Sequence, residues 1–233
     1  EGRIKLIAEE VAGVCAARDR AMTVEAFLEF IAKIRGEYGY TAEILNIGGG
    51  YGVRYVNSDP KIDIPHNIEG LAAFIKHYCE KLDMTMPAIL MEPGRSIVAD
   101  AGMTLYTVGS VKEITGYKNY VSIDGGMTDN PRYTLYEAPY TIMSASRANK
   151  KCDFVATVAG RCCESGDIIQ ENVALPKPER NDILAVLTTG AYNYSMASNY
   201  NRIPRPPVIM LNKQGDYVAV KRETFEDICK LDV

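Results

Sequence analysis

Ala42-Glu43-Ile44-Leu45-Asn46-Ile47-Gly48-Gly49-Gly50 and Ala88-Ile89-Leu90-Met91-Glu92-Pro93-Gly94-Arg95 decide how this chain is read. Each is a short apolar run ending abruptly in loop chemistry: three glycines in the first, a charged proline-glycine turn in the second. Ahead of the first run, Val24, Phe27, Leu28, Ile31 and Ile34 fall at helical spacing behind Thr23, the predicted N-cap, and the pattern stops around Gly36 and Gly39. Between the two runs, Leu71, Phe74, Ile75, Tyr78 and Leu82 mark a second helix, with Asn67 as its predicted cap. Helix, strand, helix, strand, with chemically loaded residues at the carboxyl end of each strand, is the order of a parallel α/β unit. Ligands gather at those strand ends.

Past Ala101 the texture changes. Strand candidates follow with little helix between them: Leu105 to Val111, Tyr120 to Asp124, Asp153 to Val158, Ile183 to Leu187, Val208 to Leu211 and Tyr217 to Val220. Arg202-Ile203-Pro204-Arg205-Pro206-Pro207 reads as a connection or an edge, because proline cannot donate to a sheet ladder. The expected fold class is therefore α/β plus all-β. Residues 1–101 are expected to form part of an α/β barrel or sheet, and residues 102–233 a β domain.

Composition bounds the function. The 233 residues are 47% hydrophobic, enough for a substantial core, and carry a net charge of only −4 with both signs interspersed. Neither a nucleic-acid footprint nor a membrane-binding basic face is suggested. No apolar run reaches the roughly 18 residues of a membrane span. Glu1-Gly2-Arg3-Ile4-Lys5 lacks a signal-peptide core, so the expected address is cytoplasmic. The six cysteines, at 15, 79, 152, 162, 163 and 229, show neither zinc-ligand spacing nor a secreted disulfide pattern, so reduced thiols and no metal site are expected.

Several stretches carry chemistry. Gly48 to Gly50 present backbone N–H groups unobstructed by side chains, suited to wrapping a phosphate, or else a plain flexible turn. Glu92-Pro93-Gly94-Arg95 brings more amides, a carboxylate and a guanidinium to the equivalent place after the next strand. With Glu92 available to pair with a protonated ring nitrogen, the two loops suit pyridoxal phosphate, although Glu92 alone reads as a structural salt bridge. Arg132 and Tyr136, in a turn-rich approach to a strand, could meet a carboxylate. Without a ligand, Arg132 reads as surface and Tyr136 as core. Cys162-Cys163-Glu164-Ser165-Gly166-Asp167 crowds thiols against two carboxylates, either for proton transfer or as a surface loop with one buried cysteine. Gly190-Ala191-Tyr192-Asn193-Tyr194 offers an aromatic face that could equally be packing.

Taken in order, Leu45 to Gly52, Glu92 to Arg95, Asp129 to Arg132, Cys163 to Asp167 and Ser195 to Asn201 resemble the diaminopimelate decarboxylases. These belong with the ornithine and arginine decarboxylases among fold-type III pyridoxal phosphate enzymes, and the resemblance runs from about residue 23 to the end. It implies a partial α/β (TIM-like) barrel over residues 1–101, a C-terminal β domain, sandwich or barrel-like, over residues 102–233, and decarboxylation of meso-diaminopimelate to L-lysine, the last step of lysine biosynthesis. Gly48, Gly49, Gly50, Pro93, Gly94 and Arg95 would hold the cofactor phosphate, and Glu92 would keep its pyridinium protonated. Arg95, Arg132 and Tyr136 would bind substrate carboxylates. Cys163 would protonate the carbon left by carbon dioxide, Glu164 would bind the distal amino group, and Tyr192 would contact cofactor and substrate. The resemblance places Cys162 as a structural neighbour and implies a homodimer with shared active sites, the Cys163 loop reaching into the partner's barrel. Glu-Ser after the cysteine points toward diaminopimelate. An ornithine or arginine decarboxylase and an inactive partner subunit are the competing readings. The family's cofactor lysine and its later His-rich strand end have no match here, residues 1–22 align with no part of the pattern, and Lys5 is a thin substitute.

Overall fold

A computed structural model describes residues 6–7 and 17–233, with side chains from Thr23 onward. Lys5 lies outside the described residues. The chain divides into two compact units. The first contains the described residues up to Arg54 together with Asp59–Ile97, and the second contains Tyr55–Ser58 and Val98–Val233.

In the first unit, strands β1 (Leu6–Ile7), β2 (Ile44–Asn46) and β3 (Ala88–Leu90) pair in parallel in that order. Helices α1 (Ala17–Tyr38) and α2 (Ile64–Lys81) connect them, giving two successive βα repeats of a partial barrel. Val24, Leu28 and Ile31 of α1 meet Ile75 and Cys79 of α2 and Leu45 of β2 in one buried cluster, as the helical spacing requires. The helix starts differ from expectation. Thr23 lies inside α1, which begins six residues earlier at Ala17, and α1 passes through Gly36 before ending at Tyr38, just ahead of Gly39. Gly39 adopts φ +65 and returns its N–H to the Arg35 carbonyl, a left-handed stop that glycine accepts without a Cβ penalty. The cap of α2 is Asp63, not Asn67: its carboxylate accepts the His66 N–H at 3.1 Å, and a proline sits in the first turn where no N–H is needed.

The second unit is built on a six-stranded sheet, in order β6-β9-β4-β5-β7-β8. Its strands are β4 (Met103–Glu113), β5 (Asn119–Ile123), β6 (Ile142–Ser144), β7 (Phe154–Ala159), β8 (Ile168–Leu175) and β9 (Ile183–Leu187). Most pairs are antiparallel, but β5 and β7 run parallel. The two ends of the order, β6 and β8, approach one another, so the sheet curls toward closure. Strand β4 makes this possible: Met103 to Thr107 pair with β9, and after a bulge around Gly109 the rest pairs with β5. Tyr106, Val108, Val121, Val158, Ile169, Leu184 and their neighbours fill the interior. The sequence periodicity misses β6 and β8. Both are interrupted by polar side chains, buried Ser144 in one and Gln170, Glu171 and Asn172 at intermediate or exposed positions in the other.

A separate antiparallel pair, β10 (Val208–Asn212) and β11 (Gly215–Val220), follows the proline-rich connection, and a short helix α5 (Phe225–Cys229) is closed by a capping box between Thr224 and Asp227. Two further short helices are α3 (Gly94–Val98), next to Glu92, and α4 (Arg132–Tyr136). The second corrects the expected approach to a strand. Among the described residues no helix is long and apolar enough to cross a membrane.

Candidate active site

In the first unit the two quoted loops meet. Parallel pairing of Ile44, Leu45 and Asn46 with Ala88, Ile89 and Leu90 puts their carboxyl ends side by side. The Glu92 N–H donates to the Gly48 carbonyl at 2.8 Å, and the Asn46 side-chain amide donates to Glu92 Oε1 at 2.5 Å. Gly48 and Gly50 take left-handed φ of +68 and +78. A Cβ on Gly49 would stand 2.2 Å from the Glu92 carbonyl oxygen, so only glycine permits this approach. The amides of Gly48 and Gly94 already donate within the loops, to Asn46 Oδ1 and to the Glu92 carbonyl. Pro93 makes the turn between them, its carbonyl accepting from Ser96, and Arg95 stands half-buried on α3. A backbone cradle that excludes side chains, a guanidinium one turn away and an exposed carboxylate beside them fit an anionic phosphate on a group with a cationic ring nitrogen. Asn46, which aims Glu92, was not anticipated from the sequence. Its only signal is a polar residue, almost fully buried, at the end of an apolar strand.

In the second unit the remaining motifs are tied together by a buried polar scaffold. Asp167 is only 3% exposed and accepts the N–H groups of Met127 at 2.6 Å and Cys162 at 2.7 Å. Gly126 and Gly160 flank it so closely that a Cβ on either would come to 2.5 Å or less from one of its carboxylate oxygens. Asp129, also buried, accepts from Tyr106 Oη at 2.5 Å and from the Gly126 N–H at 3.1 Å. Burial raises the Asp129 carboxyl above its ordinary range despite those donors, and burial, with Asp129 beside it, raises the Tyr106 phenol well above its own.

These anchors present the exposed groups. Cys163, Glu164 and Ser165 are exposed at the tip of their loop. Cys162 is half-buried, and burial together with Asp167 pushes its thiol up to about 12, leaving it a poor nucleophile or acid near neutrality. Glu164 Oε1 accepts from the Gly166 N–H and Ser165 Oγ, which turns that carboxylate onto its own loop. Helix α4 is joined to this loop by Thr134 Oγ1 donating to the Gly166 carbonyl at 2.9 Å. On α4, Arg132 and Tyr136 are four residues apart and so share a face. Tyr136, read as core in the absence of a ligand, is 62% exposed. Arg132 lies half-buried with its guanidinium 3.8 Å over the Tyr55 ring, a platform no sequence signal pointed to because Tyr55 is far away in the chain.

Tyr192 projects from a loop held by close backbone contact. A Cβ on Gly190 would lie 1.9 Å from the Val98 carbonyl oxygen, and the Gly190 N–H donates to the Ala99 carbonyl. Tyr192 itself sits at φ +63 and is 43% exposed, between buried Ala191 and buried Asn193. Such a conformation costs a non-glycine residue about 1–3 kcal/mol. The Asn193 side chain offsets part of that by bonding Asn130 Oδ1 and accepting from Tyr140 Oη. Among the described residues, no cluster of three His, Cys, Asp or Glu side chains could hold a metal ion.

A β/α unit with a glycine cradle is followed in the chain by a curled sheet that presents a thiol, an arginine and a tyrosine from tied loops. The chain belongs to the family described as the pyridoxal-dependent decarboxylase C-terminal sheet domain, whose model it matches over residues 18–190. It is 44% identical over 212 residues to diaminopimelate decarboxylase of Bacillus subtilis, covering 91% of this chain and 48% of that one. Among solved structures it resembles diaminopimelate decarboxylase from M. jannaschii, with TM-score 0.86 and 32% identity over 94% of this chain and 49% of that chain. It also resembles the Helicobacter pylori diaminopimelate decarboxylase complexed with L-lysine, with TM-score 0.80 and 29% identity over 93% of this chain and 51% of that chain. The chain thus spans about half the length of the relatives it matches.

Proposed function

We propose that this chain serves a pyridoxal-phosphate-dependent decarboxylase that converts meso-2,6-diaminopimelate to L-lysine and carbon dioxide in lysine biosynthesis. The observation that carries the reading is the lock between Gly48 and Glu92, which sets a phosphate cradle and a carboxylate at one strand edge. The name shared by the relatives supports the substrate.

In this reading the Gly48 to Gly50 loop, Gly94 and Arg95 bind the cofactor phosphate, with Pro93 shaping the turn beside them. Glu92 holds a proton at the ring nitrogen. Pyridoxal phosphate, when bound, supplies an electron-accepting ring that stabilises the charge left on the substrate carbon as carbon dioxide departs. Arg132, fixed on the Tyr55 ring, Tyr136 and Arg95 orient the substrate carboxylates. Glu164 turns from its own loop to bind the distal ammonium, which selects a diamino acid over a shorter one. Cys163 donates its thiol proton to the carbon that lost the carboxylate. Tyr192 packs against cofactor and substrate. Among the described residues, none is assigned the role of covalent cofactor anchor. The exposed tip at Cys163 to Ser165 suits a loop that completes the site of a second copy in a homodimer, and the expected compartment is the cytoplasm.

The test is co-expression of this chain with the amino-terminal half of the Bacillus subtilis relative, followed by incubation with pyridoxal phosphate and meso-diaminopimelate. L-Lysine formation that disappears in Cys163→Ala is the expected result. Absence of lysine, or faster turnover of ornithine or arginine, would overturn the assignment.

A further inference from the structure

Cys163 sits on an exposed loop tip, yet its backbone is held by a residue nearly forty positions away. The Cys163 N–H donates to Asn201 Oδ1 at 2.7 Å, and the preceding amide, Cys162 N–H, donates to Asp167. The peptide plane that ends in the Cys163 Cα is therefore held through its N–H by Asn201, and the plane before it is held through the Cys162 N–H by a buried carboxylate. Rotation of the thiol about its own side-chain bond is then the main freedom left for aiming Sγ.

Asn201 is suited to be the fixed end. It occupies left-handed space at φ 54, ψ 23, a region asparagine tolerates better than most side chains. The loop around it is braced at several points. The Ser198 N–H donates to the Thr128 carbonyl at 2.8 Å. The Asn199 side-chain amide donates to the Ile203 carbonyl and to Glu223 Oε2, which also accepts the Arg205 N–H at 2.9 Å. Arg202, next to Asn201 and also left-handed, makes two bonds to Asp232. A braced loop holds its acceptor still. A proton donor displaced by about 1 Å can lose about a hundredfold in rate, so such a brace has catalytic value.

We propose that Asn201 is a positioning residue of the reaction: its amide oxygen, fixed by the braced loop, sets the peptide plane from which the Cys163 thiol acts. This rests on the role given to Cys163 under Proposed function.

Two variants separate the acceptor from the backbone shape. Asn201→Gly keeps the left-handed conformation and removes the acceptor; Asn201→Asp keeps an acceptor oxygen. Hydrogen exchange of this chain, read on peptides covering Arg161 to Gly166, is expected to show the Cys163 amide exchanging about tenfold faster in Asn201→Gly and within about threefold of wild type in Asn201→Asp. In the complemented lysine assay, Asn201→Gly is expected to lose at least about tenfold in kcat with KM within about twofold, and Asn201→Asp to recover most of it. Unchanged Cys163 exchange in Asn201→Gly overturns the proposal, as does faster exchange with unchanged kcat. If the wild-type complex makes no lysine, the functional reading fails instead, and the exchange result still decides whether Asn201 holds this plane.

Discussion

Replacing Asp167 with asparagine should loosen the whole scaffold beneath the Cys163 loop, because one carboxylate receives two backbone donors from different segments. Its oxygens accept from Met127 at 2.6 Å and Cys162 at 2.7 Å, and Gly126 and Gly160 press against it so closely that the side chain has no room to turn. An asparagine can satisfy only one of the two N–H groups, and its own NH2 faces the other. A lost charge-assisted bond is worth about 1.5–3 kcal/mol, and a donor left without an acceptor costs about 1–3 kcal/mol, so a loss of about 3 kcal/mol is a modest expectation. With a slope of about 2–3 kcal/mol per molar urea, the sheet unit should unfold about 1–1.5 M earlier. The two units can open separately, so the assay is a urea series with hydrogen exchange read on peptides from β4 to β9. Asp216→Asn, at an exposed position on β11, serves as the control and should move the midpoint by less than about 0.3 M. An Asp167→Asn shift no larger than the control's would refute the reasoning.

The two adjacent thiols should separate under alkylation at pH 8: exposed Cys163 reacts first, and Cys162, with its thiol pushed to about 12, lags by at least about a hundredfold in peptide mass spectrometry. Glu223, held by Arg205 down to about 2, contributes stability that is complete above the ordinary glutamate range and lost as pH falls toward 2. The stability difference between wild type and Glu223→Gln should therefore be present at pH 6 and shrink at pH 2, as read by denaturant midpoints. Gly49→Ala drives a methyl to 2.2 Å from the Glu92 carbonyl oxygen and should weaken pyridoxal phosphate binding at least about tenfold in an absorbance titration. Gly36→Ala, a helix position with nothing within 4 Å, should leave that binding unchanged and add about 0.5–1 kcal/mol of stability.

Much of the fold was legible because its signals are local. The helical spacing of Val24, Leu28 and Ile31 is a periodicity that survives any tertiary context, and those residues are buried together. The strand ends at Gly48 and Glu92 were equally legible, since glycine and proline impose backbone shape wherever they occur. Helix caps were harder. Asp63 and Asn67 are both competent capping residues four apart, and the choice fell to Asp63, whose carboxylate meets the His66 N–H. Strands β6 and β8 were invisible because their pairing partners, not their own alternation, make them strands.

The sequence by itself determined the chemical inventory: a glycine cradle, a carboxylate after the next strand, an arginine and tyrosine four apart, and a cysteine-glutamate tip. Residue type and near spacing carry that information, because each such feature lies within a few bonds of chain. The supports came only from the tertiary structure. Asn46 aiming Glu92, Tyr55 beneath Arg132, Asp167 between two glycines and Asn201 on the Cys163 amide each join residues from 38 to 77 positions apart, apart from the short Asp167 links to Cys162 and Gly160. Hydrogen bonds and ring contacts act over a few ångströms in space and leave no trace in sequence spacing, so only folding decides which polar residues become anchors.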